Sequence, residues 1–221
     1  MVDVIGETIS IAVGVAVSPV PIAAVIVMLF TPKAKTNAPM FMIGWIAGIV
    51  VAGSIVLLIP GLETGGEPST TTGVIKGLLG VLLLAVAWGA WRKRPGPGET
   101  AEPPAWMDAI DSFGLGKSFG MGFLLSGLNP KNLLLVVAAA ATISAAGLAT
   151  GQTATALLIF TLIAASTVVI PVIVFLVAGD RVGDALAKAK DWLINNNSVV
   201  MAVLLLVIGV SLIGDAIEIL F

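Results

Sequence analysis

Apolar residues in this chain fall into six long blocks separated by short polar segments. The blocks cover residues 9–30, 40–59, 74–91, 119–141, 153–177 and 199–220. A helix needs about 20 apolar residues to cross a hydrocarbon core about 30 Å thick, and each block is near that length. They are too long for strands and lack the alternation of a barrel. The pattern predicts an all-α integral membrane protein with six transmembrane helices, residues 1–221 forming a single polytopic domain. Asp3 and Glu7 stand where a cleaved signal would carry Lys or Arg, so the first block is expected to be retained.

Two connecting segments have a pattern of their own. The loop 92–118 opens with Arg92-Lys93-Arg94, continues Pro95-Gly96-Pro97-Gly98, and passes Glu99, Glu102 and Pro103-Pro104. Residues 105–113 then set Trp106, Ile110 and Phe113 against Asp108 and Asp111, which predicts a flexible loop followed by a short interfacial helix. A second amphipathic stretch, 180–193, carries Leu186 and Leu193 at helical spacing among Lys188, Lys190 and Asp191, with Trp192 as an interface anchor.

Composition agrees and narrows the chemistry. Hydrophobic residues make up 58% and charged residues 11%, against roughly 45–50% and about 25% in soluble domains, so a soluble fold could not cover the apolar surface. Cys and His are absent. That excludes disulfides, thiolate metal sites and thiol redox chemistry, and removes the commonest proton shuttle. With no buried carboxylate pair either, an enzyme is a poor reading. No cofactor, metal site or nucleic-acid partner is expected.

Charge sets the orientation. Nine of the eleven basic residues lie in the segments after blocks one, three and five: Lys33, Lys35, Arg92, Lys93, Arg94, Lys117, Arg181, Lys188 and Lys190. The opposite face has Lys76. The positive-inside bias puts the basic segments in the cytoplasm and both termini outside. The eleventh, Lys131, falls inside block four.

Blocks one to three and four to six read as two copies of one unit, residues 5–91 and 114–220. Ser18-Pro19-Val20-Pro21 in block one answers Gly127-Leu128-Asn129-Pro130 in block four. Ile59-Pro60 answers Ile170-Pro171, and the run 81–84 answers 203–206. Three spans is an odd number, so the second copy enters from the opposite side, giving inverted three-helix repeats. Pro21 lies twelve residues into its block and Pro130 eleven into its own. Both therefore sit roughly 16–18 Å deep, near the midplane. A proline there leaves a carbonyl without its donor, which is tolerated beside protein or a wet cavity. Helices one and four are thus expected to be broken by proline. Their polar flanks make the candidate substrate site: Ser18, Pro19, Pro21, Ser126, Asn129, Pro130, Lys131 and Asn132. Lys131 would cost about 2.5–3.5 kcal/mol at the centre of a span and has no acid in the middle of any other span to pair with. It is expected to face a polar cavity or an anionic group, the plainer alternatives being a lysine that snorkels from a helix starting deeper in the membrane, or capture by carbonyls freed at Pro130. Gly44 and Gly48 read as helix packing, Arg92-Lys93-Arg94 as a topology determinant with binding of anionic lipid head groups as the second reading, and Ser166 and Thr167 as either pore-lining or bonded to their own helix.

These elements resemble a known family. SPVP in block one and GLNPKN in block four look like the paired proline motifs of the LysE exporter superfamily. The closer similarity is to its GAP branch, named for glycopeptidolipid addressing, which includes the sulfolipid-addressing (Sap) proteins of mycobacteria. The strings AVAWGAWRKRPGPGE, GLNPKNLLLVVAAAATI and VFLVAGDRVGDALAKAKDWL extend the resemblance over nearly the whole chain. It implies a six-helix bacterial inner-membrane protein that moves a lipid of glycolipid type, or a small anionic amphiphile, outward. The membrane electron carriers of cytochrome maturation share a related architecture but need a redox cysteine in each broken helix. The alternative function is a non-transporting scaffold for lipid synthesis or export. Expected partners are membrane lipids and the lipid or small anionic substrate; a homodimer and a lipid-export complex are the protein assemblies compatible with this reading.

Overall fold

The structure is a computed structural model and describes residues 1–59, 70–94, 96 and 109–221. These form α1 (Val2–Ala16), α2 (Pro19–Leu29), α3 (Ala34–Leu57), α4 (Thr70–Arg92), α5 (Leu115–Gly127), α6 (Pro130–Ala145), α7 (Thr150–Ala178) and α8 (Gly183–Leu220). Short 3-10 turns occupy Ile110–Ser112 and Gly179–Val182, and no strand occurs among the described residues. Helices α3, α4, α7 and α8 are each long and apolar enough to cross a membrane. The pairs α1–α2 and α5–α6 reach that length together but are bent by 53° and 60° at their junctions. The chain is an all-helical, multi-pass membrane protein.

The two bends fall in the first and fourth apolar blocks, where the prolines predicted them. Single prolines act differently: Pro39 and Pro171 lie inside α3 and α7 without ending them. Pro60, Pro95, Gly98, Glu99, Glu102, Pro103, Pro104, Trp106 and Asp108, on which parts of the sequence reading rest, lie outside the described residues. What is described of the 105–113 segment is its end, where Ile110 is fully buried in the main core.

The sixth block differs from its prediction. The amphipathic stretch is no separate element: from Gly183 onward it is the beginning of α8, a helix of 38 residues. At 1.5 Å per residue that is about 57 Å, well beyond a core about 30 Å thick. No proline or glycine interrupts residues 184–208, and the side-chain amides of Asn195 and Asn196 donate back to Asp191 O and Trp192 O (2.9 and 2.8 Å), keeping the polar middle helical.

One buried cluster draws residues from every helix but α5, whose Met121 and Leu125 pack against it, with Phe41, Trp45, Phe160 and Leu205 among its largest members. α1 packs on α6 and α7, α3 on α5 and α6, α4 on α8, and α2 on α3, α7 and α8. α4 and α8 run antiparallel, Gly73 lying against Ile219 and Leu220 at one end while Ser198 Oγ reaches Lys93 O (3.4 Å) at the other. Small residues let these backbones close. A Cβ on Gly44 would run into Phe119 O of α5, and one on Gly48 into Ser126 Oγ, so this pair is the α3–α5 packing seam, as read. Asn37 Nδ2 donates to Phe113 O (3.0 Å), and Phe30, Phe175 and Gly183 line one hollow, gathering the α2–α3 turn, the start of α5 and the α7–α8 junction at one end. Glu7, Lys76 and Asp215 meet at the other, near both termini.

Candidate functional site: two helix breaks locked together

The first break follows from counting hydrogen-bond donors. In an unbroken helix the carbonyls of Gly14, Val15, Ala16 and Val17 would accept from the N–H groups of residues 18 to 21. Positions 19 and 21 are proline and have no N–H, so Val15 O and Val17 O cannot be paired along the helix. The backbone turns at Val17 (φ −81°, ψ 67°), an inverse γ-turn in which Ser18 N donates to Ala16 O (2.8 Å). Ser18 is extended (φ −113°, ψ 96°), and α2 restarts with Pro19 in its first turn. There the missing N–H costs nothing.

All four carbonyls find donors, mostly from the other half of the chain. Lys131 Nζ donates to Gly14 O (2.6 Å) and Val17 O (3.3 Å). Ser18 Oγ reaches Val15 O (2.6 Å), and Thr167 Oγ1 of α7 donates to Ala16 O (2.5 Å). The third proton of the Lys131 ammonium goes to Ser18 Oγ (2.7 Å). An ammonium has three donors, and all three are used.

The second break is simpler. Pro130 cannot donate to Ser126 O, and α5 closes with Leu128 N on Leu124 O (3.0 Å). Asn129 is extended (φ −66°, ψ 121°) and caps α6, its Oδ1 accepting from Lys131 N (3.1 Å), with Pro130 again in the first turn. Asn132 Nδ2 fills Leu125 O (2.8 Å), and Asn132 Oδ1 lies 3.0 Å from Ser18 Oγ. Ser18 has one proton to give, so Val15 O and Asn132 Oδ1 compete for it. The two breaks meet, as expected, through Ser18, Lys131 and Asn132.

Lys131 therefore has a different neighbour from either expected one. Its ammonium is held by carbonyls of the first break, not by those freed at Pro130. It sits at the C-terminus of α1, where the helix dipole places partial negative charge; that favours a cation by up to about 2 kcal/mol in partly buried geometries, a large part of the ~2.5–3.5 kcal/mol cost of insertion. The Lys131 residue is 5% exposed, Ser18 3% and Asn132 1%, and no buried polar side-chain atom of the three lacks a partner.

The remaining candidates are placed as follows. Pro19 and Pro21 are buried in α2, Asn129 is half-buried, and Pro130 is exposed on the outside of the bundle. Ser126 donates to Phe123 O (3.2 Å) and faces Gly48, so it belongs to the α3–α5 seam rather than to the polar network. Ser166 and Thr167, each able to line a pore or bond its own helix, part ways here. Ser166 bonds its own helix at Ile163 O (2.7 Å), but Thr167 reaches across to the first break. A second polar cluster lies at the terminal end: Lys76 Nζ, its side chain 7% exposed, is 2.9 Å from Asp215 Oδ2 and 3.7 Å from Glu7 Oε2, tying α4 to α8 and α1.

A polytopic helical protein with two bent helix pairs is thus defined, the first break completed by side chains of α6 and α7, the second mostly by its own asparagines, and the two joined through Ser18, Lys131 and Asn132. The sequence model of the Sap, sulfolipid-1-addressing protein, family matches residues 9–218, and the chain belongs to that family. The family carries a role in lipid export or addressing. No curated protein matches the chain, and no solved structure does.

Proposed function

We propose that the protein is a bacterial inner-membrane exporter that moves a lipid, of glycolipid type, or a small anionic amphiphile outward, with the crossed breaks as its substrate site. The observation that carries this reading is Lys131: a buried cation that faces only neutral acceptors, in a network assembled from two interrupted spans. Ser18, Asn129, Lys131 and Asn132 form the polar centre, with Pro19, Pro21, Pro130 and Ser126 shaping the helices around it. An anionic head group would compete with Gly14 O and Val17 O for the ammonium, and releasing Lys131 would uncouple the breaks. Discontinuous helices at such sites are the usual device of secondary transporters.

The architecture proposed with it is six spans in two inverted repeats, within the wider LysE exporter superfamily, both termini outside the cell. Packing supports the repeats. Exchanging α1, α2, α3 and α4 for α5, α6, α7 and α8 turns the α3–α5 contact into α7–α1, α3–α6 into α7–α2 and α4–α6 into α8–α2, all of which occur. The scaffold alternative is favoured by one observation, the closure of the polar network.

Lys131→Met separates the two. It removes the charge and its desolvation cost of about 2.5–3.5 kcal/mol but leaves Gly14 O and Val17 O without donors at about 1–3 kcal/mol each, effects that oppose each other. The variant should fold with thermal stability near wild type. Transfer of a fluorescent anionic lipid between leaflets of reconstituted vesicles should fall at least about tenfold, the equivalent of one strong interaction of about 1.4 kcal/mol. Lys131→Arg should recover part of it, since a planar fork replaces a point charge. A Met variant that unfolds makes the lysine structural, and one that transports normally removes the site.

A further inference from the structure

A second feature lies away from the breaks. Between α4 and α8, Leu84, Ala87, Trp88, Trp91, Ala202, Val203 and Leu206 line an open groove of about 550 Å³, within the roughly 300–1,000 Å³ of small-molecule sites. Below this level the two helices touch through Gly80 and Gly209, whose backbones approach too closely for side chains. Above it the larger Trp88 and Trp91 project outward, 64% and 40% exposed, so the groove results from the switch from glycine to tryptophan along α4. Its lining is apolar, but its end is not. The Arg94 guanidinium lies 4.1 Å from the ring centre of groove-lining Trp91 and donates to Trp91 O (2.9 Å), and exposed Arg92 and Lys93 continue the cluster. Across from them, Ser198 Oγ meets Lys93 O (3.4 Å).

We propose that this groove is a binding site for an anionic phospholipid of the surrounding bilayer, one acyl chain lying between Trp88 and Val203 and the head group held by Arg92, Lys93 and Arg94. An apolar slot fits a chain of either a neutral or an anionic lipid; the basic cluster at its mouth selects the anionic one. Such clusters beside a membrane helix attract anionic head groups residue by residue. An arginine stacked on tryptophan holds its charge at the slot rather than free in solution. The site is separate from the crossed breaks and does not rest on the export reading.

The test uses the full chain in phosphatidylcholine vesicles, with Trp106→Phe and Trp192→Phe leaving Trp88 and Trp91 as the accessible reporters. Phosphatidylglycerol or phosphatidylcholine with brominated acyl chains is titrated in, and quenching is followed. Phosphatidylglycerol should quench with an apparent affinity on the order of tenfold higher. Replacing Arg92, Lys93 and Arg94 by Gln, all on the surface, should make the two lipids equal. Val203→Phe, at a half-exposed position, should weaken quenching by both. Equal quenching in the unsubstituted groove means ordinary boundary lipid and overturns the proposal. So does undiminished preference in the Gln variant. Shielding of both tryptophans from either lipid in a species of dimer mass would mean that a second copy covers the groove, and would also overturn it.

Discussion

At the scale of single residues, the site depends on a donor count that two prolines unbalance. Pro19 and Pro21 remove the only helical partners of Val15 O and Val17 O, and Ser18 and Lys131 replace them. This much was legible from sequence: prolines deep in apolar blocks, beside polar residues, had to leave carbonyls seeking donors. The partner was not legible, because which half donates to which depends on how the breaks cross in space. Thr167 was ambiguous for the same reason, since a threonine in a helix can bond its own backbone as readily as a neighbour. Asn132 is the residue best suited to test the coupling, as its amide bonds Leu125 O in its own half and its oxygen faces Ser18 in the other. Asn132→Leu should cost about 1–3 kcal/mol, the penalty of leaving buried polar groups unpaired. Thermal unfolding of Ser18→Ala, Asn132→Leu and the double variant should show less than additive loss, as groups in one network do. Additive losses would mean that the breaks are independent.

At the scale of elements, the helices divide by how closely their backbones meet. α3 and α5 touch through Gly44, Gly48 and Gly122, and a methyl group on any of them would strike backbone or Ser126. The spacing of Gly44 and Gly48 announced this seam in the sequence. The length of α8 was not announced, because hydropathy marks only the part in hydrocarbon, and the residues before it are polar enough to read as a separate amphipathic piece. Helix continuity there is decided by the absence of proline and glycine, a weaker signal than an apolar run. The seam makes a clean contrast. Gly48→Ala should destabilise by about 1–3 kcal/mol, because Phe123 O would lie 2.7 Å from the new Cβ and backbone cannot yield cheaply. Gly89→Ala, with open space around it on α4, should be neutral or gain up to about 1 kcal/mol. Melting temperatures in one detergent compare the two directly. Equal shifts would show that the seam is looser than its geometry.

At the scale of the whole molecule, the two ends differ in kind. One carries the basic segments; the other carries both termini and the Glu7–Lys76–Asp215 cluster, which fastens α1, α4 and α8. The sequence displayed the charge asymmetry plainly, but Lys76 looked like an isolated exception until the antiparallel α4–α8 pairing brought Asp215 beside it. Lys76 is the more buried partner, so Asp215→Asn, which leaves the ammonium only the more distant and more exposed Glu7, should cost more than Lys76→Met. The loss should fall between the ~1 kcal/mol of an exposed pair and the ~3–5 kcal/mol of a broken buried one. Orientation can be tested without further engineering, because the chain has no cysteine of its own. Single cysteines at Val2 and Phe221, and at Lys35 and Lys188, sample the two ends. Nine basic residues on one face predict that Lys35→Cys and Lys188→Cys react with a membrane-impermeant maleimide only after cells are opened. Val2→Cys and Phe221→Cys should react in intact cells, at rates unchanged by permeabilisation. Labelling of one terminus alone would demand an odd number of crossings and end the inverted-repeat architecture. Labelling of the basic face from outside would reverse the proposed direction of every span.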